Sequence, residues 1–205
     1  IVGAGFNASA RLYVKNCVNE GAISGYREVG GIIGTAFRGV IEIQNCYNLG
    51  TVTQSGTNHG TYGYGGIVGM GERGKVSNCY NAGAVIGSTN VHAISGGLTQ
   101  GRFVINNSYF QTGFQGAVAN GSNTVGLEEK VMKSWALAYK LNGEKMDGAW
   151  KYTEGEYPGF GTLDPALSWS VIAQGIRDGL ITADEASTDS TGYLIATPEK
   201  LALFA

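Results

Sequence analysis

The chain has 205 residues, 34 of them glycine, with 15% charged residues and a formal net charge of −2. Glycine without a three-residue period excludes collagen, and low charge with many β-branched residues argues against disorder. Near-neutrality offers no electrostatic footprint for nucleic acid, and no apolar run approaches the roughly 18 residues of a transmembrane helix, so neither a nucleic-acid partner nor membrane insertion is expected.

The chain opens inside a repeat, at Ile1-Val2-Gly3. That placement leads us to expect an internal fragment of a longer protein. Asn16-Cys17-Val18-Asn19-Glu20-Gly21 then returns as Asn45-Cys46-Tyr47-Asn48-Leu49-Gly50 and as Asn78-Cys79-Tyr80-Asn81-Ala82-Gly83. A worn fourth copy is Asn107-Ser108-Tyr109-Phe110-Gln111-Thr112. A second phrase alternates with the first: Gly30-Gly31-Ile32-Ile33-Gly34, Gly65-Gly66-Ile67-Val68-Gly69 and Gly96-Gly97-Leu98-Thr99-Gln100. Self-similarity at about 30 residues signals a stacked-repeat architecture.

Aligned, the copies form apolar columns. Val14, Ile43, Val76 and Ile105 make one. Ile23, Val52, Val85 and Phe114 make a second, and Ile1, Ile32, Ile67 and Leu98 a third. Polar Lys15, Gln44, Ser77 and Asn106 lie between them. Short-period β-branched patterning bounded by Gly and Asn predicts short strands. Strands recurring in register stack about 4.8 Å apart and share one core, which is the condition for a parallel β-helix. The Asn16, Asn45, Asn78 and Asn107 column suits the corners, since Asn tolerates the left-handed region and can bond along the stack.

From each Asn-Cys pair to the next Gly-Gly the chain runs 14, 20 and 18 residues. The extra residues are placed in loops at 54–64 and 88–93, and solenoid insertions often mark the binding face.

The alternation of Gly-Gly-Ile-Val-Gly with Asn-Cys-Tyr-Asn-x-Gly resembles the GLUG repeat over about residues 1–125. The fourth copy departs from that pattern at Thr99, Gln100 and Ser108, as terminal repeats do. That family occurs in bacterial secreted and cell-surface proteins, including adhesin-like proteins and some IgA-cleaving metallopeptidases. The resemblance implies a β-helical, non-catalytic, extracellular region and transfers no ligand.

Cys17, Cys46 and Cys79 share a column. A linear stack cannot supply tetrahedral zinc geometry, so the reading is buried free thiols, with one disulfide as the alternative. His59 and His92 fall in the insertion loops, where two histidines without carboxylate or Cys partners make a poor metal site. Tyr26, Tyr62 and Tyr64 precede the Gly-Gly pairs of successive coils. An exposed aromatic row there would stack on sugar rings or anchor a protein, while the plainer reading is local loop packing. These three tyrosines and two histidines are the candidate ligand-binding residues. No paired carboxylates, catalytic triad or calcium-repeat aspartates are read, so no catalytic residue, metal or cofactor is assigned.

After Thr124 the pattern changes. Leu127 to Leu141 reads as one amphipathic helix carrying Val131, Trp135 and Ala138, stopped by Asn142-Gly143. Its expected role is to cover the open end of the solenoid. Trp150, Tyr152 and Tyr157-Pro158-Gly159-Phe160 read as an aromatic return segment. Residues 184–191 read as a polar loop. The stretch 192–205 reads as a strand and then a helix capped by Thr197 with Pro198 at its first turn. It would open a following module or form a short helical subdomain of this one.

The expectation is therefore an all-β chain: a right-handed parallel β-helix of about four coils with a C-terminal helical cap. Its parts are 1–125 (repeats), 126–163 (cap and return segment) and 164–205 (linker or opening of the next module). The expected function is a non-catalytic stalk, display or adhesive region of a bacterial surface or secreted protein. Its expected partners are a host glycan or host protein and neighbouring modules of the same chain. A dedicated carbohydrate- or protein-binding module and an accessory region of a secreted hydrolase are the alternatives.

Overall fold

A computed structural model describes residues 2–5, 11–36, 39–57, 62–98, 102–120, 123–164 and 169–180. The chain divides into two compact units, 1–128 and 129–205.

The first unit is a parallel β-helix. Its first coil comprises β1 (Val2–Gly5), β2 (Arg11–Lys15), β3 (Val18–Asn19), β4 (Ile23–Gly25) and β5 (Val29–Gly30). The second comprises β6 (Ile33–Ala36), β7 (Val40–Gln44), β8 (Tyr47–Asn48), β9 (Val52–Gln54) and β10 (Tyr64–Gly65). The third comprises β11 (Val68–Gly71), β12 (Gly74–Ser77), β13 (Tyr80–Asn81), β14 (Val85–Ile86) and β15 (Val91–His92). A partial fourth holds β16 (Ser95–Leu98), β17 (Phe103–Asn106) and β18 (Ser108–Gln111), and β19 (Thr124–Leu127) adds to it. Corresponding strands pair in parallel into five sheets, numbered here by position in the coil: β1-β6-β11-β16, β2-β7-β12-β17, β3-β8-β13-β18-β19, β4-β9-β14 and β5-β10-β15.

The first column is confirmed in register, Val14 to Ile43 to Val76 to Ile105, all buried. Ile23, Val52 and Val85 also stack, but Phe114 does not join them: it is 40% exposed in the segment after β18. The third column needs a larger correction. Gly65 pairs with His92, and Val68 with Ser95, while Leu98 pairs with Gly71. The fourth counterpart of Gly65-Gly66-Ile67 is thus His92-Ala93-Ile94, four residues before the Gly96-Gly97-Leu98 that matched by sequence.

The reason is steric. A Cβ on Gly66 would lie 2.2 Å from Cγ of Asn81 and 2.3 Å from the carbonyl oxygen of Ala93; one on Gly31 would lie 2.6 Å from Cγ of Asn48 and 2.2 Å from the carbonyl oxygen of Gly66. Glycine is required where a further coil is stacked and an asparagine fills the corner. At Ala93 the fifth sheet has ended, and Phe110 stands where Asn81 has its next neighbour, so the glycine requirement lapses. With this register the spacings become 14, 20 and 14 residues. Of these three spans the second is the one that carries an insertion; His92 and Ala93 lie in and beside a strand, not in a loop.

Two asparagine ladders run along the axis. Asn16, Asn45, Asn78 and Asn107 adopt left-handed φ values of 52°, 53°, 53° and 42°. Each later member donates its amide to the one before, at 3.2, 3.4 and 2.9 Å. Inside, Asn19 donates to Asn48 and Asn48 to Asn81, both at 2.7 Å, in the opposite direction. Each inner asparagine also donates to the carbonyl two residues on, at Gly21, Gly50 or Gly83. Buried amides so satisfied lose little on leaving water.

The cysteines are three free thiols, Cys46 and Cys79 buried and Cys17 half-buried. Each Sγ–H donates to the carbonyl two residues before it, at Lys15, Gln44 and Ser77, and Ser108 Oγ makes the same bond to Asn106 at 2.9 Å. A small side chain with one donor meets the need, which explains why serine replaces cysteine in the fourth copy.

Residues 115–120 close the edges of the last coil. Gln115 accepts from Val85 N, and Val118 from Ala93 N. The Asn120 side chain accepts from Ser95 N at 2.9 Å and donates to Ser95 O at 2.6 Å.

The second unit contains α1 (Glu129–Met132), α2 (Trp135–Leu141), the antiparallel pair β20 (Trp150–Lys151) and β21 (Gly159–Phe160), and α3 (Trp169–Arg177). The expected single helix is thus two. Leu127 is held in β19 by pairing with Gln111. Ser134 breaks the remainder: its Oγ donates to Val131 O and accepts from Leu137 N, capping α2. The expected stop at Asn142-Gly143 is present, with Gly143 at φ 68°. Asn142 also exchanges two 2.8 Å bonds with the Trp150 backbone. The α3 helix falls in a stretch read as linker, and the expected strand and helix at 192–205 lie outside the described residues.

Candidate functional site

The insertion in the second coil begins after β9 and returns at β10, at the corner between the fourth and fifth sheets. Of the expected aromatic row, Tyr26 is 46% exposed and Tyr62 is half-buried, but Tyr64 is fully buried. Tyr64 packs with Val29, Val52 and Val85, and its hydroxyl donates to the Tyr26 backbone oxygen at 2.5 Å. It is a core residue that fixes the chain beneath Tyr26, not a ligand contact; strand alternation turned it inward.

A residue that sequence reasoning passed over joins the other two. The Arg27 guanidinium carbon lies 4.4 Å from the Tyr62 ring centroid and 5.4 Å from that of Tyr26. Arg27 is exposed, and each contact lies within cation–π range. The insertion is held at both ends. Gln54 Nε2 donates to Gly56 O at 3.2 Å, and its Oε1 accepts from Ser88 N and Oγ at 2.8 and 3.1 Å. Gly56, at φ +76°, lies under the Tyr26 ring. At the far end Asn90 Nδ2 donates to Tyr62 O at 3.4 Å. Two aromatic faces and one guanidinium are thereby presented from pinned backbone, a combination able to stack on a sugar ring or seat a protein side chain.

His59 lies outside the described residues. His92 sits in β15 opposite Gly65, with its Nδ1 buried and without a hydrogen-bond partner among the described residues. Among the described residues no three His, Cys, Asp or Glu side chains lie close enough together to hold a metal ion, and no helix is long and apolar enough to cross a membrane.

Comparison with known protein families, curated proteins and solved structures finds no match to this chain.

Proposed function

We propose that this chain is a non-catalytic structural and display region of GLUG-repeat type from a bacterial surface or secreted protein, and that its corner at Tyr26, Arg27 and Tyr62 takes a glycan or protein ligand. The observation carrying the reading is the pair of tyrosines around Arg27, Tyr26 from the corner of the first coil and Tyr62 from the insertion of the second. The repeated phrases support the structural part. The Gly-Gly phrase makes room for the Asn-Cys-x-Asn phrase, so both serve packing and hydrogen bonding along the stack.

The test is a glycan and host-protein array probed with the wild-type chain and a Tyr26→Ala, Tyr62→Ala variant. The expected result is a ligand whose signal the double substitution removes. A ligand retained by the variant would move the site elsewhere, and cleavage of a polysaccharide or peptide by the chain alone would overturn the non-catalytic reading.

A further inference from the structure

The outward rows of the second sheet carry a charge asymmetry that the net charge conceals. Among the described residues, five of the six Lys and Arg of the first unit lie in or directly before that sheet's strands: Arg11, Lys15, Arg73, Lys75 and Arg102. All five are exposed. One carboxylate, Glu42, faces them, 3.1 Å from Lys75 and 3.9 Å from Arg11. Among the described residues Lys15, Arg73 and Arg102 have no carboxylate partner. Glu72, next to Arg73 in the chain, is half-buried and already engaged.

Arg73 and Arg102 stand in one corner column of adjacent coils, directly before Gly74 and Phe103, which pair with each other. With Val40 and Gly74 they line an open recess of about 520 Å³. Like charges in neighbouring strands repel, so this pairing weakens the sheet unless an anion lies between them. Beside the recess the same face exposes two apolar side chains, Tyr13 at 54% and Val104 at 43%. Both belong to the row Tyr13, Glu42, Lys75, Val104.

We propose that this face binds a linear, carboxylate-bearing polysaccharide laid along the solenoid axis. The guanidinium fork matches a carboxylate through two parallel hydrogen bonds. Arg73 and Arg102 stand on adjacent coils about 4.8 Å apart, and Arg11 stands two coils before Arg73 with Val40 between, so an extended polymer crossing the coils meets Arg11, Arg73 and Arg102 in turn. The apolar faces of two separate sugar rings of the polymer fit Tyr13 and Val104, which stand three coils apart at the two ends of that row. Nucleic acid fits less well: its phosphates carry a charge about every 1.7 Å of duplex and would crowd Glu42, and a single exposed tyrosine gives bases little to stack on. This surface is separate from the Tyr26 corner and does not depend on it.

The test is calorimetric titration of the 205-residue chain with polygalacturonate, neutral dextran and oligodeoxythymidylate. The expected result is binding of polygalacturonate alone. That binding should weaken as salt rises from about 0.1 to about 1 M and the screening length falls from about 10 to about 3 Å. Arg73→Gln with Arg102→Gln should cost roughly tenfold in affinity, the scale of two exposed charge pairs. Lys151→Gln, which removes an exposed cation of the second unit, should cost nothing. Both variants replace exposed side chains, and circular dichroism would verify their fold. Absence of polygalacturonate binding, equal binding of dextran, tighter binding of the oligonucleotide, or unchanged affinity in the arginine variant would each overturn the proposal.

Discussion

Replacing Gly66 by alanine adds one methyl group where the structure has no room for it. The new Cβ would lie 2.2 Å from Asn81 Cγ, 2.5 Å from its Nδ2 and 2.3 Å from Ala93 O, all far inside van der Waals contact. Ala93 O belongs to the next coil and accepts from Gly66 N, so it cannot retreat without loosening the stack. Forcing a methylene into a packed interior costs about 1–3 kcal/mol. Displacing Asn81 also strips its 2.7 Å bond from Asn48 and its exchange with Gly83, and each buried group left unpaired adds about 1–3 kcal/mol. The expected loss is therefore at least about 3 kcal/mol. All three tryptophans lie beyond residue 128, so urea unfolding should be followed by far-ultraviolet circular dichroism to report on the solenoid. Two controls sharpen the result. Ala93→Gly, at the equivalent position of the following coil, should cost no more than about 2 kcal/mol, from the buried methyl lost and the backbone freedom gained. Asn81→Ala combined with Gly66→Ala should fall short of the sum of the singles by more than about 1 kcal/mol, because the methyl then occupies vacated space. A Gly66→Ala loss below about 1 kcal/mol, or strict additivity in the pair, would refute the complementarity of the two phrases.

Thiol titration of the denatured chain without reductant should count three free thiols, and in the native chain the half-buried Cys17 should react before Cys46 and Cys79; finding one thiol would reveal a disulfide. Burial pushes the Cys79 thiol well above its ordinary value of 9.0, so stability is complete below that pH and declines above it as the unfolded chain ionises. Urea midpoints measured across that range should fall less steeply in Cys79→Ser. In the second unit, Trp135 is 5% exposed and stacks on Tyr139 with centroids 4.9 Å apart. Trp135→Ala should cost about 3–5 kcal/mol by near-ultraviolet dichroism, and a loss below about 1 kcal/mol would mean the ring is not in a packed core. Ser134→Ala should cost about 1 kcal/mol in the same assay by removing the cap of α2, and no change would count against the break between the two helices.

The sheets were legible because their signals are local and repeated. β-branched residues at one offset from the Asn-Cys pair fall in register, and the outer asparagines announce left-handed corners. The sequence misled where it looked most regular: Gly96-Gly97 matches the glycine pairs by letter, but their equivalents are His92 and Ala93. Letter matching cannot see that a glycine answers to the coil lying on it. The inner ladder of Asn19, Asn48 and Asn81 went unread although each lies three residues after an outer asparagine, since one asparagine per phrase already had a role. Tyr64 and Tyr62 are two residues apart and differ in burial because one enters a strand and the other remains in the insertion. The basic rows become visible only after alignment: Arg11, Arg73 and Arg102 each stand five residues before an asparagine of the outer ladder.

The lapse of glycine at Ala93 bears on how such arrays grow. A duplicated coil inserted between the second and third would meet compatible surfaces above and below, because both neighbours already have glycine facing asparagine. A coil added on the fifth sheet beyond β15 would instead confront His92 and Ala93 and lack the asparagine that Phe110 replaces. Lengthening by internal duplication is thus sterically open, while lengthening from this edge requires several simultaneous reversions. The repeat number is held by the outermost coil, and variation in length among proteins of this design should arise from their middles.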